Sequence, residues 1–271
     1  MWNSLFKSGA SVQCNVLFHS FFDIYVCSNF LNCGTKVTFV LSTSFTGPLY
    51  LYYELTNFYQ NHRRYILSKS IGQLQGQNLA QSAVELDCNP LYLNGSNLLN
   101  PCGLIANSFF NGTNLLHIFE GLDAYAVHTF YMYFCLYVHV DEFALISAAS
   151  NPSTLTLDET NIALPTDKAS LYAQVSGFKY VAASCSASGM VNSSTCVNYG
   201  LSAGCKCYVD TSTMQSYYFY YPNDDSTQYL YETYPNQISP IDGVTDEHFM
   251  VWMRTSSLPT FRKLYGKISG E

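Results

Sequence analysis

Ten cysteines are the residues of this sequence with the most evident chemistry, and four of them are clustered. The four are Cys185, Cys196, Cys205 and Cys207. Four thiolates can hold a structural zinc ion, but Cys205 and Cys207 lack the two-residue spacer that lets both sulfurs reach one tetrahedral ion, and no histidine lies between His139 and His248. Disulfide pairing in an oxidising compartment accounts for the same residues, so no metal is predicted. The pairing of these four cysteines stays open.

A catalytic cysteine and histidine pair is the next possibility, since such partners meet in space and not along the chain. His62 is the histidine with a distinctive local sequence, beside Arg63 and Arg64, and a surface hydrogen-bonding role is expected for it. Asp246 and Glu247 are adjacent carboxylates, but neighbours on a strand point to opposite faces and do not share a site. We therefore interpret all of these side chains as structural or surface groups. Motifs of nucleotide enzymes, zinc proteases and serine hydrolases are absent, so neither an enzyme nor a cofactor is predicted.

Charge is scarce and localised. Charged residues make up 11% of the chain, and the net charge is −7, which disfavours nucleic acid as a partner because phosphate binding needs clustered Lys and Arg. Seven of the twelve basic residues lie in two short stretches: Arg63, Arg64, Lys69, Arg254, Arg262, Lys263 and Lys267. Two interpretations are open, namely two solvated loops, or contact with an acidic partner or lipid head groups.

The elements that position these groups are predicted to be mainly β. With 48% apolar residues, 23 Tyr and 18 Phe, the chain favours strands over long helices. Residues 35–41 and 49–55 alternate apolar and polar side chains, as neighbouring strands do, and Gly47 and Pro48 break the chain between them. Residues 248–253 also read as a strand, with Pro259 beyond it. A short helix is predicted over 168–174, capped by Thr166 or Asp167.

Membrane and secretion signals are weak in the residues themselves. No signal peptide is plain, because residues 1–31 lack a continuous apolar stretch. Residues 124–140 form the longest apolar candidate span, which is at the short limit for crossing a bilayer. N-glycosylation sequons occur at Asn94, Asn111 and Asn192, a number that composition alone would produce.

Three long blocks resemble one family, in the same order along the chain. They are FTGPLYLYYELTNFYQNHRRY at 45–65, PCGLIANSFFN at 101–111 and EHFMVWMRTSSLPTFRKLYG at 247–266, with a weaker match, NIALPTDK, at 161–168. Together they are similar to the signature of the cell cycle control protein 50 family, the accessory subunits of type IV P-type ATPase lipid flippases. The resemblance covers about half of the chain.

The resemblance implies a fold and a function. Family members have two membrane helices that flank a glycosylated, disulfide-bonded ectodomain built on an antiparallel β-sandwich, with a few short helices and long loops. The partners implied are a type IV P-type ATPase catalytic subunit and membrane lipids. The expected role is non-catalytic: support of the pump's folding, its export from the endoplasmic reticulum and its lipid transport. The expected location is the membrane of the endoplasmic reticulum, Golgi or plasma membrane, with this region lumenal or extracellular.

Site residues are carried over position by position. Cys88 and Cys102 match a family disulfide, and Cys33 matches a family cysteine whose partner would be Cys27 or, as a second choice, Cys14. Asn111 matches a glycosylation position, and Asn94 and Asn192 are further candidates. The pairing of Cys135 is open. The blocks 58–65 and 249–265 are expected to be structural or to contact the partner through Phe58, Asn61, His62, Arg63, Arg64, Tyr65, Trp252, Arg254, Pro259, Phe261 and Arg262.

The departures from the family set the expected domain limits. Residues 1–26 match nothing in the family, and 27–271 are expected to form a partial extracytoplasmic domain, incomplete at both ends, with insertions at 115–150 and 181–237. The second of these is low in charge and rich in Ser and Tyr, which predicts a loop-rich segment. The alternative function is a secreted, disulfide-stabilised binding module that recognises glycan or protein through a Tyr-rich surface, or a non-functional fragment.

Overall fold

The computed structural model describes residues 49–55, 57–109, 145–146, 154–155, 157–185, 188–210 and 213–268. The chain divides into two compact units. Unit 1 comprises residues 1–62, 110–163 and 254–271, and unit 2 comprises 63–109 and 164–253. The predicted strand at 35–41, the Gly47 and Pro48 break and the candidate span 124–140 lie outside the described residues.

Strands and short helices alternate along the described chain. The strands are β1 Leu49–Leu55, β2 Leu93–Asn94, β3 Asn97–Asn100, β4 Leu145–Ile146, β5 Thr154–Leu155, β6 Leu157–Asp158, β7 Lys179–Ala182, β8 Gly189–Met190, β9 Lys206–Val209, β10 Ser216–Tyr220, β11 Thr227–Tyr229 and β12 Phe261–Ile268. The α-helices are α1 Arg63–Leu67, α2 Ile71–Leu74, α3 Gln81–Cys88, α4 Pro165–Ser170, α5 Ser193–Asn198, α6 Leu230–Thr233 and α7 Glu247–Met253. Two 3₁₀ turns cover Ala106–Ser108 and Gly243–Thr245.

Unit 1 is organised by the long antiparallel pair of β1 and β12. Alternation decides which face is buried: Leu51 and Leu55 face inward, while Tyr50 and Tyr52 are exposed. The register shifts between Leu51 and Tyr52, which leaves an extra residue on β12 and makes a β-bulge. Strand β6 pairs with the other edge of β12, and β4 pairs with β5 in a separate two-stranded ladder. The strand predicted at 49–55 is confirmed.

Unit 2 contains a four-stranded antiparallel sheet in the order β7-β10-β9-β8 and a three-stranded sheet in the order β11-β3-β2. The β11 and β3 pair is parallel, and the β2 and β3 pair is an antiparallel hairpin. Both faces of the four-stranded sheet are partly covered. One face packs on a cluster around Cys196, Leu201 and Tyr218, and the other packs on a cluster around Phe219 and Tyr221.

Three disulfides staple unit 2 in its described residues. Cys88 is joined to Cys102, Cys185 to Cys207, and Cys196 to Cys205. The first bond joins the two cysteines that the resemblance paired, and it closes around the β2 and β3 hairpin. The other two pair the four cysteines whose connectivity the sequence left open, which leaves no thiolate there for zinc.

The predicted mainly β fold, with antiparallel sheets, a few short helices and disulfide-bearing loops, is confirmed. The stacking of two sheets as a sandwich stays a prediction of the resemblance. The domain limits and the two insertions also stay predictions. The 181–237 segment, expected to be loop-rich, also carries β8 to β11 and most of the four-stranded sheet between its loops.

Two local predictions are wrong. Residues 248–253 form helix α7 and not a strand, because the Asp246 side chain accepts the Phe249 amide hydrogen at 2.8 Å and Phe249, Met250, Trp252 and Met253 are buried at helical spacing. The helix predicted over 168–174 is α4, which begins at Pro165. Its cap is Leu164 without a side-chain hydrogen bond, since proline at the first position fixes the helical φ, and Asp167 is buried inside the helix.

Candidate functional site

The block 101–109 is the buried centre of unit 2, and each residue from Pro101 to Ala106 is buried. Polar side chains earlier in the chain, those of Ser68 and Gln73, form hydrogen bonds with backbone groups of this block and of its neighbours. Gln73 accepts from the Cys102 amide at 2.8 Å and donates to the Leu99 carbonyl at 3.0 Å. Ser68 accepts from the Leu104 amide and donates to the Cys88 carbonyl. Buried backbone groups need such partners, so these contacts fix the path of the block.

The third block contacts the same centre. The Trp252 indole nitrogen on α7 donates to the Ile105 carbonyl at 2.8 Å, and its ring meets Phe109 edge-on at 6.2 Å. Phe109 also makes edge contacts with Phe249 and Tyr234, the geometry that aromatic quadrupoles favour. Blocks two and three of the family signature are therefore parts of one aromatic core.

Tyrosine hydroxyls complete this core. The Tyr234 hydroxyl donates to the Ala106 carbonyl at 3.0 Å and accepts from the Phe109 amide at 3.1 Å. Burial raises the pKa of Tyr234 well above its usual range, so the hydroxyl stays protonated and available as a donor. Tyr65 on α1 shares a 2.8 Å hydrogen bond with Ser108.

In unit 1, two loops that carry the first and third blocks are joined to each other. The Phe58 amide donates to the Pro259 carbonyl at 3.0 Å, and the Asn61 side chain donates to the Ser257 carbonyl at 2.9 Å. The buried Gln60 accepts from the Ser256 amide at 2.9 Å. The Phe58 ring meets Phe261 edge-on at 6.2 Å. Phe58, Asn61, Pro259 and Phe261 thus form one structural contact.

The structure also buries Lys263, one of the seven basic residues for which the sequence suggested a solvated loop or a contact with an acidic partner or lipid head groups, and neither interpretation fits a buried side chain. Lys263 lies on the inward face of β12, donates to the Arg254 carbonyl and packs over the Phe261 ring at 5.4 Å. Burial, with a smaller contribution from the Arg254 charge, lowers the pKa of Lys263 to about 8. The alternation of side chains along β12 could have predicted this burial, because Phe261 and Lys263 are two residues apart and so lie on the same face of the strand.

Among the predicted contact residues, one set is exposed. It consists of Asn61, His62, Arg63, Arg64, Arg254 and Arg262. Tyr65, Trp252 and Phe261 are buried, and Phe58 and Pro259 are half-buried. Partner contact by the exposed set stays a prediction. Cys14, Cys27, Cys33, Cys135 and Asn111 lie outside the described residues.

The family model that matches this sequence is described as the LEM3 (ligand-effect modulator 3) family / CDC50 family, and it covers residues 26–271. The chain belongs to the CDC50 family. The resemblance drawn from the three blocks is thereby confirmed.

Curated relatives of this CDC50-family chain agree with the family match. It is similar to cell cycle control protein 50A of Mus musculus, at 30% identity over 88% of this chain and 49% of the relative. Cell cycle control protein 50B of Homo sapiens is 30% identical over 87% of this chain and 51% of the relative. The Saccharomyces cerevisiae protein named phospholipid-transporting ATPase accessory subunit CRF1 is 40% identical over 30% of this chain and 21% of its own. The chain spans about half the length of the first two relatives.

Within the described ranges the structure contains neither a candidate membrane helix nor a candidate metal cluster. None of the helices there has the length and apolar character of a membrane span. The same part of the CDC50-family chain contains no group of three or more His, Cys, Asp or Glu residues arranged to hold a metal ion.

The Asp246 cap of α7 predicts a pH dependence of unit 2. Burial raises the pKa of Asp246 to about 6 from an ordinary value near 4, while the Phe249 amide opposes the shift. A raised carboxyl pKa contributes stability that is present below about pH 4 and is lost as pH rises through about 6. We expect the free energy of unfolding to fall by about 1 kcal/mol from this group between pH 5 and pH 7.

Asp246→Asn tests that dependence, because an amide oxygen can still accept from Phe249 but carries no charge. The variant should lose this part of the pH dependence and be the more stable protein at pH 7, as measured by urea unfolding at both pH values. Leu86→Ala, an exposed change on α3, is the control and should follow the parent chain at both. An unchanged pH slope in Asp246→Asn would show that another group titrates.

Proposed function

We propose that this chain is a non-catalytic accessory subunit of a phospholipid-translocating P-type ATPase and supports its folding, its export from the endoplasmic reticulum and its lipid transport. The observation that carries the proposal is the match of the CDC50 family model to residues 26–271. The printed name of the yeast relative, an accessory subunit of a phospholipid-transporting ATPase, supports the assignment. We propose membrane lipids as the second partner and no nucleic acid, in keeping with the net charge of −7.

The packed contacts that the three blocks make within their units support a docking role over a catalytic one. The buried members of the blocks, Tyr65, Trp252 and Phe261, form packed contacts within their own units. The exposed members are mostly cationic. A rigid core holds the backbone of the exposed side chains in place before binding. Less conformational entropy is then lost when a partner binds, which favours a preformed interface. Arg63, at the start of α1, is the exposed cation that we select for the test.

Co-purification tests the proposal. The chain is expressed with an affinity tag beside each type IV P-type ATPase of its own genome, and the pump is measured in the eluate and by its movement beyond the endoplasmic reticulum. We expect one or more pumps to co-purify and to leave that compartment only when the chain is present. Recovery of the folded chain without any of these pumps would contradict the proposal and favour a secreted binding module.

Charge reversal refines the same experiment. Arg63→Glu should reduce the recovered pump if the exposed set contacts the partner, whereas Lys179→Glu, an exposed cation outside the three blocks, should not. Both variants must be recovered in parental amounts for the comparison to hold. Equal recovery of the pump with all three chains would remove Arg63 from the interface.

We propose a lumenal or extracellular location for this region, at the endoplasmic reticulum, Golgi or plasma membrane. The three disulfides of unit 2 support it, since such bonds persist in oxidising compartments. Asn94 and Asn192 are exposed, as an acceptor for N-glycosylation must be. Asn192 caps α5 by accepting from the Ser194 amide through its side-chain oxygen.

Asn192→Asp separates glycosylation from capping. The carboxylate can still accept from the Ser194 amide, but it has no amide nitrogen to carry a glycan. In a secretory host we expect the variant to lose one endoglycosidase-sensitive mass increment. Once both proteins are deglycosylated, its free energy of unfolding should lie within about 0.5 kcal/mol of that of the parent. Asn192→Ala should lose the same increment and destabilise the protein by about 1 kcal/mol. An unchanged mass in both variants would show that Asn192 is unmodified.

A further inference from the structure

A small cavity lies within unit 2, beside the strand that leads into the second block. Its polar lining consists of Gln73 on α2, Asn100 at the end of β3, Gln174, Tyr221, and Tyr229 at the end of β11. The volume of the cavity is about 10 Å³. A cavity of this size has room for about one water molecule, whereas pockets for organic ligands measure about 300 Å³ or more.

The Asn100 side chain is a polar group of this lining that lacks a partner. Asn100 is 8% exposed, and no described residue forms a hydrogen bond with its side chain. Asn100 is paired with Tyr229 across β3 and β11, and residues paired across neighbouring strands share a face of the sheet. The Asn100 side chain therefore lies on the same side as that of Tyr229, towards the cavity. Since buried polar groups are hydrogen-bonded as a rule, a partner for this amide is expected in the cavity.

Two tyrosine hydroxyls of the lining have acceptor capacity left. The Tyr221 hydroxyl donates to the Pro240 carbonyl at 2.9 Å, with Gln174 Oε1 at 3.2 Å as a second acceptor. The Tyr229 hydroxyl donates to the Pro222 carbonyl. Burial raises the pKa of both hydroxyls well above the usual range, so both stay protonated at neutral pH. A hydroxyl has one hydrogen to donate and two lone pairs, so each can still accept a hydrogen bond.

The rest of the lining is neutral. Gln174 Nε2 donates one hydrogen to the Ile241 carbonyl at 2.7 Å, and an amide nitrogen carries a second one. Val175, Leu230 and Val244 supply apolar walls, and none of the described residues that line the cavity is charged. Because a buried ion needs opposite charge beside it, this lining suits a neutral molecule that both donates and accepts hydrogen bonds.

We propose that the cavity binds one ordered water molecule, which forms hydrogen bonds with the Asn100 side chain and with the tyrosine hydroxyls of the lining. Buried waters make about three hydrogen bonds, typically to groups that lack another partner. This water joins β3, which leads into the second block, to the 3₁₀ turn Gly243–Thr245, which leads into α7 of the third block. The inference stands apart from the accessory role, because the water binds within the chain and requires no pump.

The first test detects the water in NMR spectra of the isotope-labelled full chain. Nuclear Overhauser effects from the water resonance are measured at the methyl groups of Val175 and Val244, the two valines of the lining. Val84 is 0% exposed and packs in the cluster around Cys88, so its methyl groups are the dry reference. We expect water contacts at both cavity valines and none at Val84. Signals at the cavity valines no stronger than those at Val84 would overturn the proposal.

Asn100→Leu separates bound water from exchanging hydroxyls. The variant removes the amide but keeps a branched side chain, so we expect the water contacts of both cavity valines to fall to the level of the dry reference. The Tyr221 and Tyr229 hydroxyls stay in place and exchange their hydrogens with solvent, which can relay the same signal. Contacts that persist in a folded Asn100→Leu chain would assign the signal to these hydroxyls and overturn the proposal.

Val244→Ile fills the cavity and leaves the Asn100 amide in place. The added methylene takes the room of the water, so the water contact of Val175 should be lost. Val191→Ile adds the same group to the separate cluster around Cys196 and should leave that contact unchanged. An equal loss of the Val175 contact in both variants would show that the signal does not come from the cavity.

A crystal structure of the parent chain locates the oxygen atom. We expect one water peak in the cavity within about 2.7 to 3.2 Å of the Asn100 side chain, and no such peak in Asn100→Leu. A cavity without a water peak, with the Asn100 side chain hydrogen-bonded to a protein group instead, would overturn the proposal.

Discussion

Trp252→Ala should destabilise unit 2 by about 3 to 5 kcal/mol. Trp252 is 1% exposed, and its ring contacts the aromatic core built from blocks two and three. Removing the indole leaves a large cavity and also leaves the Ile105 carbonyl without its 2.8 Å donor. A loss of this size is a large part of the stability of an ordinary domain, so much of the variant should be unfolded.

A graded series separates the two contributions of Trp252. Trp252→Phe keeps most of the packing but loses the indole N–H, and we expect it to cost about 1 to 3 kcal/mol through the unpaired Ile105 carbonyl. Leu86→Ala, at a side chain that is 84% exposed on α3, should stay within about 0.5 kcal/mol of the parent. Urea unfolding followed by far-UV circular dichroism measures all three variants. A Trp252→Ala chain as stable as Leu86→Ala would show that α7 does not pack on Ile105.

The same series bears on the accessory role. If the signature exists to build a rigid docking surface, Trp252→Ala should reduce pump recovery in proportion to its loss of folded chain, and Trp252→Phe should have a smaller effect. Arg63→Glu should instead reduce recovery with no loss of folded chain. The two variants therefore separate a folding requirement from a contact requirement at the interface.

Sequence reasoning located β1 because its signal is local. Leu51 and Leu55 alternate with exposed tyrosines, and a period of two is typical of a strand with one face buried. It failed at α7, where an unbroken apolar run fits a buried strand and a buried helix equally well. The deciding features were the Asp246 cap and the hydrogen bond of Trp252 to Ile105, which is 147 residues distant in the sequence. Contacts at that separation leave no periodic signal.

The candidate site, too, could be predicted from the sequence only in part. The resemblance located the blocks, but which members are buried follows from tertiary contacts that no local pattern encodes. The polar residues Ser68 and Gln73 serve as buried partners of a distant backbone segment, and polarity alone would place them at the surface.

Gly103→Ala should be the most damaging small substitution in the second block. Gly103 has a φ of +101°, a conformation that costs a residue with a Cβ about 1 to 2 kcal/mol. A Cβ there would lie 2.1 Å from the Ser68 carbonyl oxygen, a backbone atom that cannot rotate away. Overpacking of this kind adds about 1 to 3 kcal/mol, so we expect a loss of about 2 to 5 kcal/mol.

Gly200→Ala is the matched control for Gly103→Ala. Gly200 also has a positive φ, of +72°, but a Cβ there would meet no atom within 4 Å, so the variant measures the backbone conformation without the clash. We expect it to lose about 1 to 2 kcal/mol in the same urea titration. The excess loss in Gly103→Ala is then the energy of holding the 101–106 backbone against Ser68. Equal losses at both positions would mean that the 101–106 backbone can move away from Ser68 with little loss of stability. The second block would then not be the rigid centre on which the proposed docking surface depends.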